Sequence, residues 1–509
     1  MPRVITPARG FMVSAWSWLE RHPIKGLAGA LAISALLRAL FLGGPLSADE
    51  GGFLMVARQW QGGGSSLYGD QWVDRPPLLL LIFKAADGLG GSAVTLRLLA
   101  LVFAAVTIVG AWWAGKVING PRGAVAAALV AAVVGANLSL DGVELTGETI
   151  AGAFVMVSCA LTLQAKYDAE SPQTGLLLAL LAGMFAACAF LVKQSFVDAG
   201  LFAVVLLGVK THKTWRLMVA GAVGVAIPLF VTAVWARSDE GPGLVRLWNA
   251  LFRFRQRAYA IVEDASSAAP VQRLHTLLLL FVVAGVGFLV VQAVVASISV
   301  RKRRSLRIAL VVMLAYGVAA MLLGGNWWRH YLLQLVPVLA MGTALATKRS
   351  TRRLRTHYAA TYTVAASVVT AIVGAAMVVT EAIGVNSDEV VADYIRAASQ
   401  PMDSVVVAYG TPNIIERSGL ATPYRYAWSL PIRGRDPHLT QLVATLQGPD
   451  APTWLVEMGS FDWWGIDTPA FQQVRQARYH WVADVCGHEV YLRNDLPRAL
   501  PVHRPCSAS

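Results

Sequence analysis

The feature that most limits this chain is the recurrence of apolar runs about 20 residues long, the length a helix needs to cross the hydrocarbon core of a bilayer. Such runs lie near residues 26–46, 93–115, 123–140, 149–165, 174–192, 195–209, 217–236, 274–300, 308–323, 331–347 and 359–383. In lipid every backbone N–H and C=O must be bonded within the protein, so these runs are read as helices, about eleven spans in all. With 509 residues, 56% of them hydrophobic, and a mean hydropathy of +0.54, the chain carries more apolar surface than a soluble domain of this size could bury. The expected fold class is therefore mainly α, a polytopic transmembrane helix bundle. The first run is longer than the apolar core of a secretory signal and no small-residue cleavage site follows it, so it reads as a retained anchor.

The formal charge of +13 is distributed as a topology signal. Arg3, Arg9, Arg21 and Lys25 precede the first run; Lys116 and Arg122, then Lys166, then Lys210, Lys213 and Arg216 follow alternate runs. The densest clusters are Arg301 to Arg304 with Arg307, and Lys348, Arg349, Arg352, Arg353 and Arg355. All fall on one side if the N-terminus is cytoplasmic, as the positive-inside bias requires. No nucleic-acid partner is expected. The loop at 44–92, the loops near Asp141 to Glu148 and near Lys193, the segment 237–273, the loop near Asn326 and the tail after 384 then face outward. Two domains are read: 1–384 in the membrane and 385–509 outside, a small α/β domain with apolar strand-like runs at SVVVAY, TWLVEM and EVYLR. Asn386 is read as the cap of its first helix, and Asp436-Pro437 and Asp467-Thr468-Pro469 as later helix starts. Cys159 and Cys188 lie within spans as packing residues, whereas Cys486 and Cys506, isolated in the outward tail, are read as a disulfide pair.

Residues 47–77, SADEGGFLMVARQWQGGGSSLYGDQWVDRPP, place acidic groups at the mouth of the first span, where charge is costly unless it has a partner or a task. Asp49-Glu50, then LYGD, then Asp74-Arg75-Pro76-Pro77 before an apolar run, resembles the first outer loop of GT-C membrane glycosyltransferases of the bacterial family 39/83 type. That group includes protein mannosyltransferase-like enzymes and the lipid A aminoarabinose transferase. The resemblance extends to Glu148 at the start of the fourth span, which fits the family's carboxylate better than Glu144. It extends further to GMFAACAFLVKQS closing in Lys193-Gln194, and to His330, Tyr331, Leu333 and Pro337 in RHYLLQLVP. Gln334 stands where relatives often have proline. The tail VVVAYGTPNIIERSGLATPYRY also matches the pattern. Each site residue has a plainer reading as well: Glu148 as a helix-end acid, Lys193 and Arg38 as snorkelling cations, Trp327 and Trp328 as members of an aromatic belt. Segment 237–273, with Leu247, Leu251 and Phe254 at helical spacing and Arg246, Arg253, Arg255 and Arg257 beside them, reads as an interfacial helix on anionic headgroups.

Sugar transfer to an alcohol needs a base for the incoming hydroxyl and stabilisation of the departing group. The resemblance implies an inverting transferase that moves a sugar from a polyprenyl-phosphate donor to a cell-envelope glycan, lipid or protein on the outer face of the plasma membrane, with Asp49 as general base. Arg75, Arg329, His330 and Lys193 are the candidates to hold the donor phosphate, with Glu50, Asp74, Glu148 and Tyr331 in support. Family frequency points to mannose; arabinose fits the same residues. No organic cofactor is implied, although Asp49, Glu50, Asp74 or Glu148 could hold a divalent cation. The alternative is a polytopic transporter or lipid flippase. Against it stand the absence of an evident half-repeat and the clustering of charge at one face. An impermeant maleimide applied to intact cells tests the orientation. It is expected to label a Leu420→Cys variant and to leave Arg303→Cys unlabelled, and the reverse pattern overturns the assignment.

Overall fold

The computed structural model describes residues 18, 21–60, 66–208, 212–263, 269–300, 303–347, 386–458, 466, 468–502 and 506. Among them, Ala93–Gly135, Gly147–Tyr167, Pro172–Val192, Thr214–Arg237 and Arg304–Leu323 are long and apolar enough to cross a membrane. A further span arises if Pro270–Val283 and Val286–Ser299, bent by 62° at their break, are taken together. The sequence count is higher for local reasons. The runs near 93–115 and 123–140 are joined in one 43-residue element, broken at Asn119 and Gly120 ahead of Pro121. The first run forms the 17-residue helix Pro23–Ala39, and the run near 195–209 yields only the 10-residue Asp198–Leu207. That near 331–347 begins as a 3-10 helix, Arg329–Leu335, and continues as Val336–Ala346. The run at 359–383 lies outside the described residues.

The chain divides into two compact units. The first comprises Met1–Leu42, Arg97–Phe230 and Arg273–Ala375. Its helices begin where the sequence supplies caps: the Thr146 side chain accepts from Thr149 N, and the Ser171 side chain from Thr174 N just ahead of Pro172. Small residues then let two backbones touch. A Cβ on Gly183 would lie 2.0 Å from the Gly221 carbonyl oxygen, and one on Gly224 the same distance from that of Leu180. Arg38 does not snorkel: it is buried and donates to the Gly135 carbonyl oxygen at 2.9 Å, because that end of the 43-residue element leaves a helix carbonyl to be satisfied.

The second unit comprises Gly43–Leu96, Val231–Gln272 and Ala376–Ser509. Its sheet runs β1-β2-β4-β3, with β1 (Val405–Ala408), β2 (Trp454–Glu457), β3 (Tyr479–Val485) and β4 (His488–Arg493). β1 and β2 are parallel and fully buried, and the remaining pairings are antiparallel. β3 escaped the sequence reading because exposed His480, Trp481 and Asp484 interrupt its apolar character and its register slips between Trp481 and Ala483. Asn386 caps Ser387–Ala398 as expected. Asp436 ends one helix rather than starting another, but its carboxylate accepts from Gln441 N and Leu442 N and so holds the start of Thr440–Gln447. Cys486 and Cys506 are bonded, closing a loop of 20 residues.

The helix Ala48–Gln59 packs on Pro412–Ser418 through two glycines. A Cβ on Gly51 would stand 2.6 Å from Asn413 Cα, and one on Gly52 would stand 2.2 Å from the Trp428 ring and 2.6 Å from the Pro412 ring. Gly52→Ala is therefore expected to destabilise the protein by about 1–3 kcal/mol, the usual cost of overpacking. Thermal unfolding of the purified chain checks this, and an unchanged unfolding temperature would show that Trp428 can move aside freely.

Candidate functional site: two charged clusters

Asp49 and Glu50 are adjacent but are used differently. Glu50 is buried and completes a capping box: its Oε2 accepts from Ser47 N at 3.2 Å while Ser47 Oγ accepts from Glu50 N at 3.4 Å. Asp49 is half-buried and, among the described residues, its carboxylate accepts a single hydrogen bond, from Trp428 Nε1 at 3.1 Å. The Trp428 ring lies 5.5 Å from that of Phe53, and the Arg75 guanidinium stands 5.8 Å from the same Phe53 ring. Two neighbouring rings, Trp428 on Asp49 and Phe53 under Arg75, thus link the two residues.

Arg75 is fixed from both ends. Its carbonyl accepts from Tyr68 Oη at 2.7 Å, and burial, then the nearby Asp74 carboxylate, push that phenol well above its ordinary pKa, so it stays a donor. Its Nη1 donates to Asp74 Oδ1 at 2.8 Å, while the other Asp74 oxygen takes Arg255 Nη2 at 2.7 Å. Asp74 is therefore a carboxylate shared by two guanidiniums. In the sequence Arg255 reads as one charge of an interfacial segment; in the fold it is the second partner of Asp74.

The first unit brings together five of the expected residues. Glu148 lies in the first turn of Gly147–Tyr167, as the helix-end reading has it, and is also buried and ion-paired with Lys193, so Lys193 does not snorkel. The Lys193 ammonium stands 4.6 Å over the Tyr331 ring, and His330 Nε2 lies 3.8 Å from Glu148 Oε1. A carboxylate that the sequence reading passed over completes the group. Asp141 accepts from Arg329 Nε at 2.5 Å and lies 3.2 Å from His330 Nδ1. Asp141 has φ 56°, a left-handed conformation that Asp tolerates better than most residues. The Asp-Gly turn signal at 141–142 was the clue to it. Gln334, at the position where relatives carry proline, donates to buried Asp198 at 3.0 and 3.2 Å and so holds the 3-10 helix bearing Arg329 and His330.

Of the four carboxylates named for a divalent cation, three are already engaged. Asp74 already neutralises two guanidiniums, Glu148 pairs with Lys193 and Glu50 closes its capping box. Among the described residues no three His, Cys, Asp or Glu side chains are grouped as metal ligands.

Comparison with family models gives no match, and comparison with curated proteins gives none either. The fold itself is shared with solved structures. The aminoarabinose transferase ArnT from Cupriavidus metallidurans, bound to undecaprenyl phosphate, superposes with a TM-score of 0.61 at 14% identity, over 92% of this chain and 97% of that one. The Archaeoglobus fulgidus oligosaccharyltransferase, tethered to an acceptor peptide containing the NVT sequon, gives 0.58 at 12% identity, over 91% and 73%. The oligosaccharyltransferase AglB of the same organism, with an inhibitory peptide and dolichol-phosphate, gives 0.53 at 12%, over 93% and 75%. These are GT-C glycosyltransferases, and this chain is a membrane protein with the GT-C fold.

The Glu148–Lys193 pair allows a stability test. Glu148→Gln leaves a largely buried ammonium without its carboxylate and is expected to cost about 3–5 kcal/mol. Glu148→Gln combined with Lys193→Met should recover most of that. Unfolding in detergent of the two single variants and the double variant measures the coupling, and additive losses would mean that the pair is not energetically linked.

Proposed function

We propose that the protein is a glycosyltransferase that moves a sugar from a polyprenyl-phosphate carrier to a hydroxyl-bearing acceptor, with Asp49 as general base. The observation that carries this reading is the contrast within the acidic pair. Glu50 is committed to its capping box, whereas Asp49 is half-buried, held by one neutral donor and, among the described residues, paired with no cation. A carboxylate placed in this way keeps a lone pair for an incoming proton. The GT-C fold supports the reaction class, and carriers of the polyprenyl-phosphate kind are bound in the ArnT and AglB structures.

In the proposed step the acceptor oxygen attacks the anomeric carbon as its proton passes to Asp49. The bond from that carbon to the phosphate oxygen breaks with its electron pair on the phosphate, and attack from the opposite face inverts the centre. Arg75 holds the phosphate before and during departure, since guanidinium grips phosphate with paired N–H bonds. In the second unit Asp74 orients Arg75 and Glu50 caps the helix that carries Asp49; in the first unit Arg329, His330 and Lys193, with Glu148 and Tyr331 beside them, are proposed as a further group of cations for an anionic substrate. The basic-loop pattern supports placing this chemistry on the outer face of the plasma membrane. Mannose remains the proposed sugar.

Transfer from a polyprenyl-phosphate sugar by detergent-purified protein, with donor affinity and thermal stability measured on the same samples, tests these roles. Asp49→Asn should keep donor binding and lose roughly 10²- to 10⁴-fold in turnover, the range for general-base help. Arg75→Ala should weaken donor binding as well, because its charge acts in both ground and transition states. Near-normal turnover in folded Asp49→Asn overturns the assignment of the base, and no transfer by the folded wild-type protein overturns the enzyme reading and favours a transporter.

A further inference from the structure

Apart from these clusters, the second unit contains a cavity of about 230 Å³ lined by Asn249, Arg253, Phe254, Arg257, Gly434 and Arg435. Its lining holds three guanidinium groups and no carboxylate. Local structure places them there. Arg253 ends a π-helical turn, Asn249–Arg253, of the kind often found at functional positions, and Phe254–Glu263 continues as α-helix. Arg257 follows one turn later and so shares a face with Arg253. Phe254 is buried edge-on to Trp72, with ring centroids 4.6 Å apart. Arg435 is held by its Nε, which donates to Tyr426 Oη at 3.4 Å, and by its guanidinium, 5.1 Å from the Trp72 ring.

Among the described residues, Arg253, Arg257 and Arg435 form no ion pair with a carboxylate, whereas Arg255, between the first two in sequence, is bound to Asp74. Like charges one helical turn apart repel. A third cation, fixed by an aromatic ring beside the same cavity, adds to that cost unless an anion enters. The space far exceeds the ~30 Å³ share of one water. Three guanidiniums match a doubly charged phosphate better than the single charge of a phosphodiester. We propose that this cavity binds a phosphate monoester or diphosphate group, as a site separate from the phosphate contact assigned to Arg75. The inference stands whether or not the chain transfers sugar.

Thermal unfolding of the full chain in neutral detergent, titrated with inorganic phosphate or pyrophosphate at constant ionic strength, tests the site. Saturable stabilisation is expected, with apparent affinity at least about tenfold weaker in Arg253→Gln/Arg257→Gln, since charged hydrogen bonds are lost. Arg435→Gln should act likewise, while Arg246→Gln, which removes a charge from the same segment outside the cavity lining, should not. Arg253 and Arg257 are exposed, so the double variant should unfold normally without anion. Nanodiscs with and without phosphatidic acid separate the two sources of a phosphate monoester. If phosphatidic acid stabilises the wild type and abolishes the pyrophosphate response, a lipid headgroup is the ligand; if the response persists, a soluble phosphate is. No saturable shift with any probe, or the same shift in the double variant as in the wild type, overturns the proposal.

Discussion

Buried carboxylates must be neutralised or hydrogen-bonded, and this constraint organises both charged clusters. Asp141 and Glu148 are matched by Arg329, His330 and Lys193; Asp74 is matched by Arg75 and Arg255. Each pairing fixes the charged residues of a segment that is not α-helical: a left-handed turn at Asp141, the 3-10 helix Arg329–Leu335, and the extended stretch before Pro77. Removing one partner leaves a charge in a poorly solvated place, which costs far more than losing a surface ion pair. Asp49 lies outside these pairings among the described residues, and that is what makes it chemically distinct.

Much of the architecture was legible because the signals are local and redundant. Apolar runs near span length become helices, and Asn386 caps Ser387–Ala398 as read. Span counting was less secure because hydropathy does not register where backbone geometry breaks. Asn119-Gly120 and Gly285 interrupt apolar stretches that read as uniform. β3 was hidden by its half-exposed pattern and bulge.

The site was legible where a residue type is expensive for its setting, as with Glu148, Lys193, Arg329 and His330. Asp141 was missed because an Asp-Gly turn explains itself without a partner. Arg255 was missed because three neighbouring arginines share its sequence context, and only packing separates the one bonded to Asp74 from the two that line the cavity. Trp428 gave no signal at all, since its hydrogen bond to Asp49 spans 379 residues. The Gly51-Gly52 pair was visible in the sequence, but its purpose emerges only with the side chains it makes room for.

That long-range bond sets an order of events during biosynthesis. Asp49 leaves the ribosome early, and every span among the described residues is made before Trp428 appears. The opening helix can form at once from its own capping box, but the ring that holds its carboxylate arrives only after the membrane helices have been synthesised. A nascent chain therefore carries an inserted but unfinished centre. A truncation ahead of Trp428 removes more than an appendage, because it leaves the first loop without the donor that orients its carboxylate.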